Sequence, residues 1–172
     1  MRLLIAASLT ALFGLAGCGY HTLGAATHLP PDLHTLSVPV FKNDTDSYGT
    51  ETALTSAVIS EFNARTSYRV VPQSAADAGA VLLGTILKES IAPLTYNATT
   101  QQSSSYLITM VIAVTLKDRD GQVLYRNDNY VFRQQYQSTT VLPTFLQEDP
   151  AAVARLSRDF ARQLVADLLE GY

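Results

Sequence analysis

Two pairs of neighbouring carboxylates have a spacing that suits chemistry, because paired carboxylates can act as general acid and general base. Asp118 and Asp120 stand in an Asp-Arg-Asp-Gly turn sequence, and Glu148 and Asp149 precede the proline of a helix start. Turn formation and helix capping account for both pairs without catalysis. The 172-residue sequence also contains no G-x-S-x-G elbow, H-E-x-x-H motif, phosphate loop or Gly-rich dinucleotide fingerprint. It therefore predicts a protein that is not an enzyme.

Three histidines and one cysteine are the other chemically versatile side chains. His21, His28 and His34 lie close together, but no second group of ligands stands at a workable spacing. We therefore expect solvated histidines, no metal site and no cofactor. Cys18 is the only cysteine, which excludes an intramolecular disulfide. The 12 Lys and Arg against 15 Asp and Glu give a net charge of -3, which leaves no surplus of cations for nucleic acid.

The residues around Cys18 are typical of export and lipidation. Arg2, a short apolar run and small residues predict a signal peptide over residues 1–17, too short for a comfortable membrane span. The segment Leu15–Cys18 resembles the bacterial lipobox, which implies that the Cys18 thiol is acylated and the chain is cut before it. We expect this covalent lipid to anchor the protein almost permanently on a membrane, and Gly19 after the cysteine favours the outer membrane. The alternative is a buried or free thiol.

The chain after the signal peptide divides into two parts. Residues 18–33 form the lipidated cysteine and an extended tether rich in Gly, Thr, His and Pro. Residues 34–172 form a single α+β domain. Removing residues 1–17 removes one cation, Arg2, so the remainder has 11 Lys and Arg against 15 acids and a net charge of -4.

Hydrophobic periodicity predicts the elements of this domain. In chain order they are an edge or bulged strand over 35–41, a helix over about 50–65 capped by Ser47 or Thr50, an extended piece over 68–71, a buried strand over 80–91, strands over 106–117 and 122–135, and a helix over about 150–170. The polar stretch 92–105 predicts a long, mobile hairpin loop or two frayed strand ends. Two amphipathic helices can cover one face of a four-stranded sheet, so we expect a two-layer α+β sandwich with a mixed or antiparallel sheet in the order βαβββα.

The pairing of the two long strands predicts which cations occupy the uncovered face. An Asp-Gly turn that sets Leu116 opposite Val123 leaves one face almost wholly apolar, and this face must be the core. A bulge at 127–129 would turn Tyr130 inward. The opposite, uncovered face then holds three cations among small and apolar side chains: Lys117, Arg126 and Arg133.

Four segments in this order resemble the LptE family of lipopolysaccharide-assembly lipoproteins: Cys18-Gly19-Tyr20-His21, residues 36–45 (LSVPVFKNDT), residues 51–69 (ETALTSAVISEFNARTSYR) and residues 156–161 (LSRDFA). The resemblance spans nearly the whole chain after the signal peptide. It implies a non-catalytic lipoprotein on the periplasmic side of the outer membrane. Such a protein plugs and helps to assemble the β-barrel translocon that inserts lipopolysaccharide into the outer leaflet, contributes to lipopolysaccharide transport, and binds lipopolysaccharide itself.

Lys117, Arg126 and Arg133 are the expected lipopolysaccharide-binding residues, because lipid A phosphates prefer Arg or Lys donors beside apolar surface. The alternative is that they are ordinary solvated strand charges. A second functional class is also open, a lipoprotein that activates or scaffolds an envelope enzyme or forms a secretion pore, since Val38–Phe41 before the first helix resembles such domains too. A periplasmic binder of small ligands is a third possibility, although no polar cluster suits one.

Overall fold

The computed structural model describes residue 29 and residues 33–72, 78–97, 102–137 and 150–170. The signal peptide, Cys18, the first two histidines and the Glu148/Asp149 pair lie outside the described residues. The elements in chain order are β1 (Thr35–Ser37), β2 (Lys42–Asn43), α1 (Thr50–Arg65), β3 (Arg69–Val71), β4 (Ala80–Asn97), β5 (Gln102–Asp118), β6 (Val123–Gln137) and α2 (Pro150–Glu170).

The sheet is mixed and has six strands, so the α+β class is confirmed and the predicted count of four is wrong. Its order is β3-β1-β4-β5-β6, with β2 also alongside β4. The predicted strand 35–41 is too long, since only residues 35–37 of it form a strand, β1; Pro39 follows β1 and has no N–H to donate to a ladder. The short strand β2 begins at Lys42, after the predicted range. The extended piece after α1 pairs with β1 as the parallel strand β3. Strand β1 therefore lies inside the sheet rather than at its edge.

The antiparallel strands β4 and β5 are longer than the hydrophobic pattern predicted. They remain paired from Ala80 opposite Asp118 to Asn97 opposite Gln102, with register shifts after Ile86 and on both sides of Thr95. Most of residues 92–105 therefore belongs to β4 and β5. The predicted mobile loop is wrong, and the alternative of two strand ends is closer to the structure. Ladder hydrogen bonds come from the backbone, so a Thr- and Ser-rich segment can extend a strand without an apolar face.

Two bulges set the pairing of β5 with β6. Lys117 pairs with Val123 and Leu116 with Tyr125, so the predicted pairing of Leu116 with Val123 is wrong and Val123 lies on the exposed side. Leu124 is the extra residue that shifts the register there. The second bulge lies between Asn127, which pairs with Val114, and Tyr130, which pairs with Ile112. A bulge was predicted in this segment, 127–129.

Both helices pack on one face of the sheet, as predicted. In α2 the predicted apolar stripe is buried: Val153, Leu156, Phe160, Leu164 and Leu168. Phe160 meets the rings of Phe41 and Phe132 edge-on, with centroids 6.1 Å and 5.4 Å away. Phe41 fits because Gly84 of β4 lies beneath it, and a Cβ on Gly84 would overlap its ring.

The turn before α1 is built on Asn43. Its Nδ2 donates to the backbone oxygen of Ser47 at 2.5 Å and to Oε2 of Glu51 at 2.9 Å, while its Oδ1 accepts from the Thr45 backbone at 2.9 Å. The N-cap of α1 is Gly49 at φ 87 with no side-chain cap, so capping by Ser47 or Thr50 was wrong. Glycine is favoured at the cap because its φ is positive. The Lys-Asn-Asp-Thr segment thus fixes where α1 begins.

Candidate functional site: the open face of the sheet

One side of strands β4, β5 and β6 is not covered by the two helices, and we call it the open face. In β5 the residues Met110, Ile112 and Val114 are fully buried beneath the helices. Side chains alternate between the faces of a strand, so Val111 and Ala113 point to the other side. The open face comprises these residues and their cross-strand neighbours on β4 and β6.

The open face carries exposed apolar side chains. Four of its large apolar side chains are substantially accessible: Leu83 at 42%, Leu87 at 45%, Val123 at 53% and Val131 at 37%. Sequence reasoning missed the β4 residues because it treated 80–91 as a buried strand. The sequence did indicate an apolar open face on β4. Residues 80–87 are apolar at both odd and even positions, so both sides of the strand are apolar. These exposed apolar residues make the open face a candidate contact surface.

The three predicted cations lie on the open face but do not converge. Arg126 is opposite Thr115, Arg133 is opposite Thr109, and Lys117 is at the far end of β5. At a rise of about 3.4 Å per residue, the positions of Thr109 and Lys117 are about 27 Å apart along the strand. One phosphate cannot engage all three cations, so the face has two separate cationic ends.

The surroundings of these cations differ. Arg126 is held by Asp128, whose carboxylate oxygens both lie 2.9 Å from the Arg126 Nε. This hydrogen bond and charge pairing raise the pKa of the Arg126 guanidinium. Lys117 directly precedes Asp118 of the turn. Arg133 is exposed, and no ion pair of Arg133 occurs within the part of the chain that the structure describes.

Lys88 is a fourth cation on the open face, and sequence reasoning missed it. It pairs with Val111 because the register shift after Ile86 inserts Leu87 as an extra residue. Without that bulge, Lys88 would share the core-facing alternation of Leu82 and Ile86. The only signal in the sequence is that a Lys at that position of an apolar strand has no place in a core.

The acidic turn has the structural role that was expected of it. The Asp118 Oδ1 accepts hydrogen bonds from the backbone N–H groups of Asp120 at 2.9 Å and Gln122 at 2.8 Å. Among the described residues there is no group of three or more His, Cys, Asp or Glu that could hold a metal ion. None of the described helices is long and apolar enough to cross a membrane.

The sequence matches the family model LptE, described as lipopolysaccharide-assembly, over residues 33–168. The chain belongs to the LptE family. The match begins just before β1 and ends near the end of α2, so all four cations of the open face lie inside the LptE region. The family resemblance in the sequence is thereby confirmed. No curated protein sequence matches the chain significantly.

Solved structures with a similar fold come from several bacteria. The hypothetical protein CT253 from Chlamydia trachomatis is 9% identical with a TM-score of 0.50, covering 81% of this LptE-family chain and 97% of its own. A PelC dodecamer from Paraburkholderia phytofirmans is 12% identical with a TM-score of 0.46, covering 78% and 86%. A minor lipoprotein from Acinetobacter baumannii is 13% identical with a TM-score of 0.46, covering 83% and 95%. At these identities the likeness concerns the fold alone.

Proposed function

We propose that this LptE-family chain is a non-catalytic outer-membrane lipoprotein of lipopolysaccharide assembly. Its lipid on Cys18 holds it on the periplasmic side of the outer membrane, where it assembles with and plugs the β-barrel translocon that inserts lipopolysaccharide. Through this complex it contributes to lipopolysaccharide transport to the cell surface. The observation that carries the proposal is the family match across residues 33–168, which contains the whole sheet.

The open face is the surface proposed to meet lipopolysaccharide. Lipopolysaccharide combines phosphates with acyl chains, and the open face combines cations with exposed apolar side chains. Lys117, Arg126 and Arg133 are the proposed phosphate donors, because ionised donors form the stronger hydrogen bonds to phosphate oxygens. The apolar strip beside them suits acyl chains, whose burial is favourable in proportion to the area removed from water.

Purification of the full-length protein in mild detergent tests the assembly role. The proposal expects a large outer-membrane protein to co-purify and to show the heat-modifiable gel mobility of a β-barrel. The Cys18→Ser variant is the matched control and should recover less of it, since it lacks the proposed anchor. Recovery of a peptidoglycan synthase, or of a ring of like subunits without a barrel, would instead support the alternative of an enzyme activator or secretion pore.

A further inference from the structure

Strand β6 forms one edge of the sheet. Within the described residues β5 is its only strand neighbour, so the described part of the sheet ends there. An edge strand can pair with any other strand through its backbone N–H and C=O groups. Proteins usually protect such edges with short strands, prolines, bulges or charged side chains. The edges of this sheet can therefore be compared by the protection that each one has.

The other edges of the described sheet are protected. Strand β3 is only three residues long. Strand β4 becomes an edge after Ile86, where its pairing with β2 ends, and it carries Lys88, Pro93 and three register shifts. The first half of β6 has two bulges and two charged side chains, Arg126 and Asp128. Each of these features interrupts or repels an added strand.

The second half of β6, residues 130–137, lacks this protection. It pairs with β5 over eight consecutive residues without a register shift. It contains no proline, and Arg133 is its only charged residue. Its three aromatic residues and its valine are typical of strands. This half of the edge is therefore regular enough to accept another strand.

The side chains of this segment are self-complementary in one antiparallel register. Directly opposite residues lie on the same face of a sheet, so a symmetric pair of strands is centred on a single residue. A centre at Arg133 sets two like charges opposite each other, which is destabilising. A centre at Gln134 sets Phe132 opposite Tyr136 of the second copy and Arg133 opposite the amide of its Gln135. Among the centres that avoid the pair of arginines, this one pairs the most residues of the segment, seven (131–137).

We infer that two copies of this chain pair through the second halves of their β6 strands, antiparallel and centred on Gln134. The two sheets then form one continuous sheet. The same edge serves in both copies, so the assembly closes at two chains. The proposed lipid anchor favours this pairing, because chains confined to one membrane surface have a raised effective concentration. The inference goes beyond the proposed function, since it concerns contact between like chains.

Disulfide trapping in the cell envelope tests the pairing. Gln134→Cys is introduced into the full-length protein, free thiols are blocked, and the disulfide-linked dimer is measured on a gel without reductant. Opposite Cα atoms of paired strands are about 4.5–5.5 Å apart, within reach of a disulfide. Val131→Cys on the same strand is the matched control, because its two copies are six residues apart along the pair, about 20 Å, too far for a disulfide. The wild type, with Cys18 alone, gives the background.

Substitution of Gln135 tests the register independently, because this residue faces Arg133 of the second copy. In the Gln134→Cys background, Gln135→Lys should reduce the dimer about threefold or more, since like charges then face each other twice, and Gln135→Glu should increase it. Co-expressed Arg133→Cys and Gln135→Cys chains, each changed at an exposed position, should be trapped as well. Circular dichroism of the reduced proteins verifies the fold of each variant.

The pairing predicts a dimer of the Gln134 variant about tenfold or more above the wild-type background, and a dimer of the Val131 variant no greater than that background. No dimer at Gln134 or in the co-expressed pair, equal dimers at Gln134 and Val131, or equal effects of Lys and Glu at Gln135 would overturn it. A disulfide adduct with a different protein in place of the dimer would assign the edge to another partner and also overturn it. Recovery of the barrel is measured separately, so none of these results decides the proposed function.

Discussion

The hydroxyl of Tyr130 in β6 donates a hydrogen bond of 2.6 Å to the Asp167 carboxylate in α2. Tyr130 is only 4% exposed, and its hydroxyl also contacts that of Tyr125. Burial, followed by the hydrogen bond to Asp167, raises the pKa of Tyr130 well above its usual range. This hydrogen bond joins β6, the strand that carries Arg126 and Arg133, to α2.

Replacing Tyr130 with Phe should destabilise the domain by about 1.5 kcal/mol, the lower end of the range for a hydrogen bond to a charged group. The lower end applies because Asp167 is only partly buried, so in the variant water can hydrate its carboxylate. Urea unfolding measures this difference. Tyr48→Phe is the control, since Tyr48 is 99% exposed and its hydroxyl should contribute nothing. Equal stability of the Tyr130 variant and wild type would mean that the hydrogen bond does not hold β6 to α2.

The same contact predicts a loss of stability at alkaline pH. Folding raises the pKa of Tyr130 above its ordinary value of 10.0, so its contribution is fully present below pH 10 and is lost as the pH rises further. The gap in unfolding free energy between wild type and Tyr130→Phe should therefore shrink by about 1.4 kcal/mol for each pH unit above 10. Urea titrations at pH 8 and pH 11 measure the gap. A gap independent of pH would show that folding does not raise the pKa of Tyr130.

Phe160→Ala should cost about 3–5 kcal/mol, close to the whole stability of a small domain. Phe160 is completely buried and contacts two aromatic rings, those of Phe41, which directly precedes β2, and Phe132 of β6. Phe160→Leu, which keeps most of the volume, should lose much less. A loss below about 1 kcal/mol for the alanine variant in urea would show that the α2 stripe is not core.

The helices could be predicted from the sequence because their signals are local and regular. Apolar residues at helical spacing gave α1 and the buried stripe of α2, which the structure confirms. The alternation in β5 likewise identified its buried face, and the interrupted alternation at 127–129 identified the bulge. In each case the pattern within one segment determines which side meets the core.

The strand count, the register and half of the open face could not be predicted, because they depend on contacts between distant segments. Strand β1 lies between the distant segments β3 and β4, and β2 is a separate short strand beside β4. A single bulged residue, Leu87, brings Lys88 to the open face, and another, Leu124, moves Val123 out of the core. A one-residue shift reverses the side on which every following residue lies, so the pairing must be known before these residues can be assigned to a face.

The lipid anchor is tested by Cys18→Ser. Since the thiol is the acylation site proposed here, the variant should accumulate as an uncleaved or mislocalised precursor that takes up no labelled palmitate. Metabolic labelling followed by membrane fractionation measures both effects. Palmitate incorporation that persists in the serine variant would show that the lipid, if any, is attached elsewhere.

Photocrosslinking in living cells tests most directly whether the open face meets lipopolysaccharide. A photoreactive residue at Val131, which is exposed on the edge strand β6 of that face, should give an ultraviolet-dependent adduct that an antibody against lipopolysaccharide detects. The same residue at Gln163, exposed on α2, should not give this adduct. An adduct of Val131 with the barrel alone, or equal lipopolysaccharide adducts at the two positions, would contradict the account.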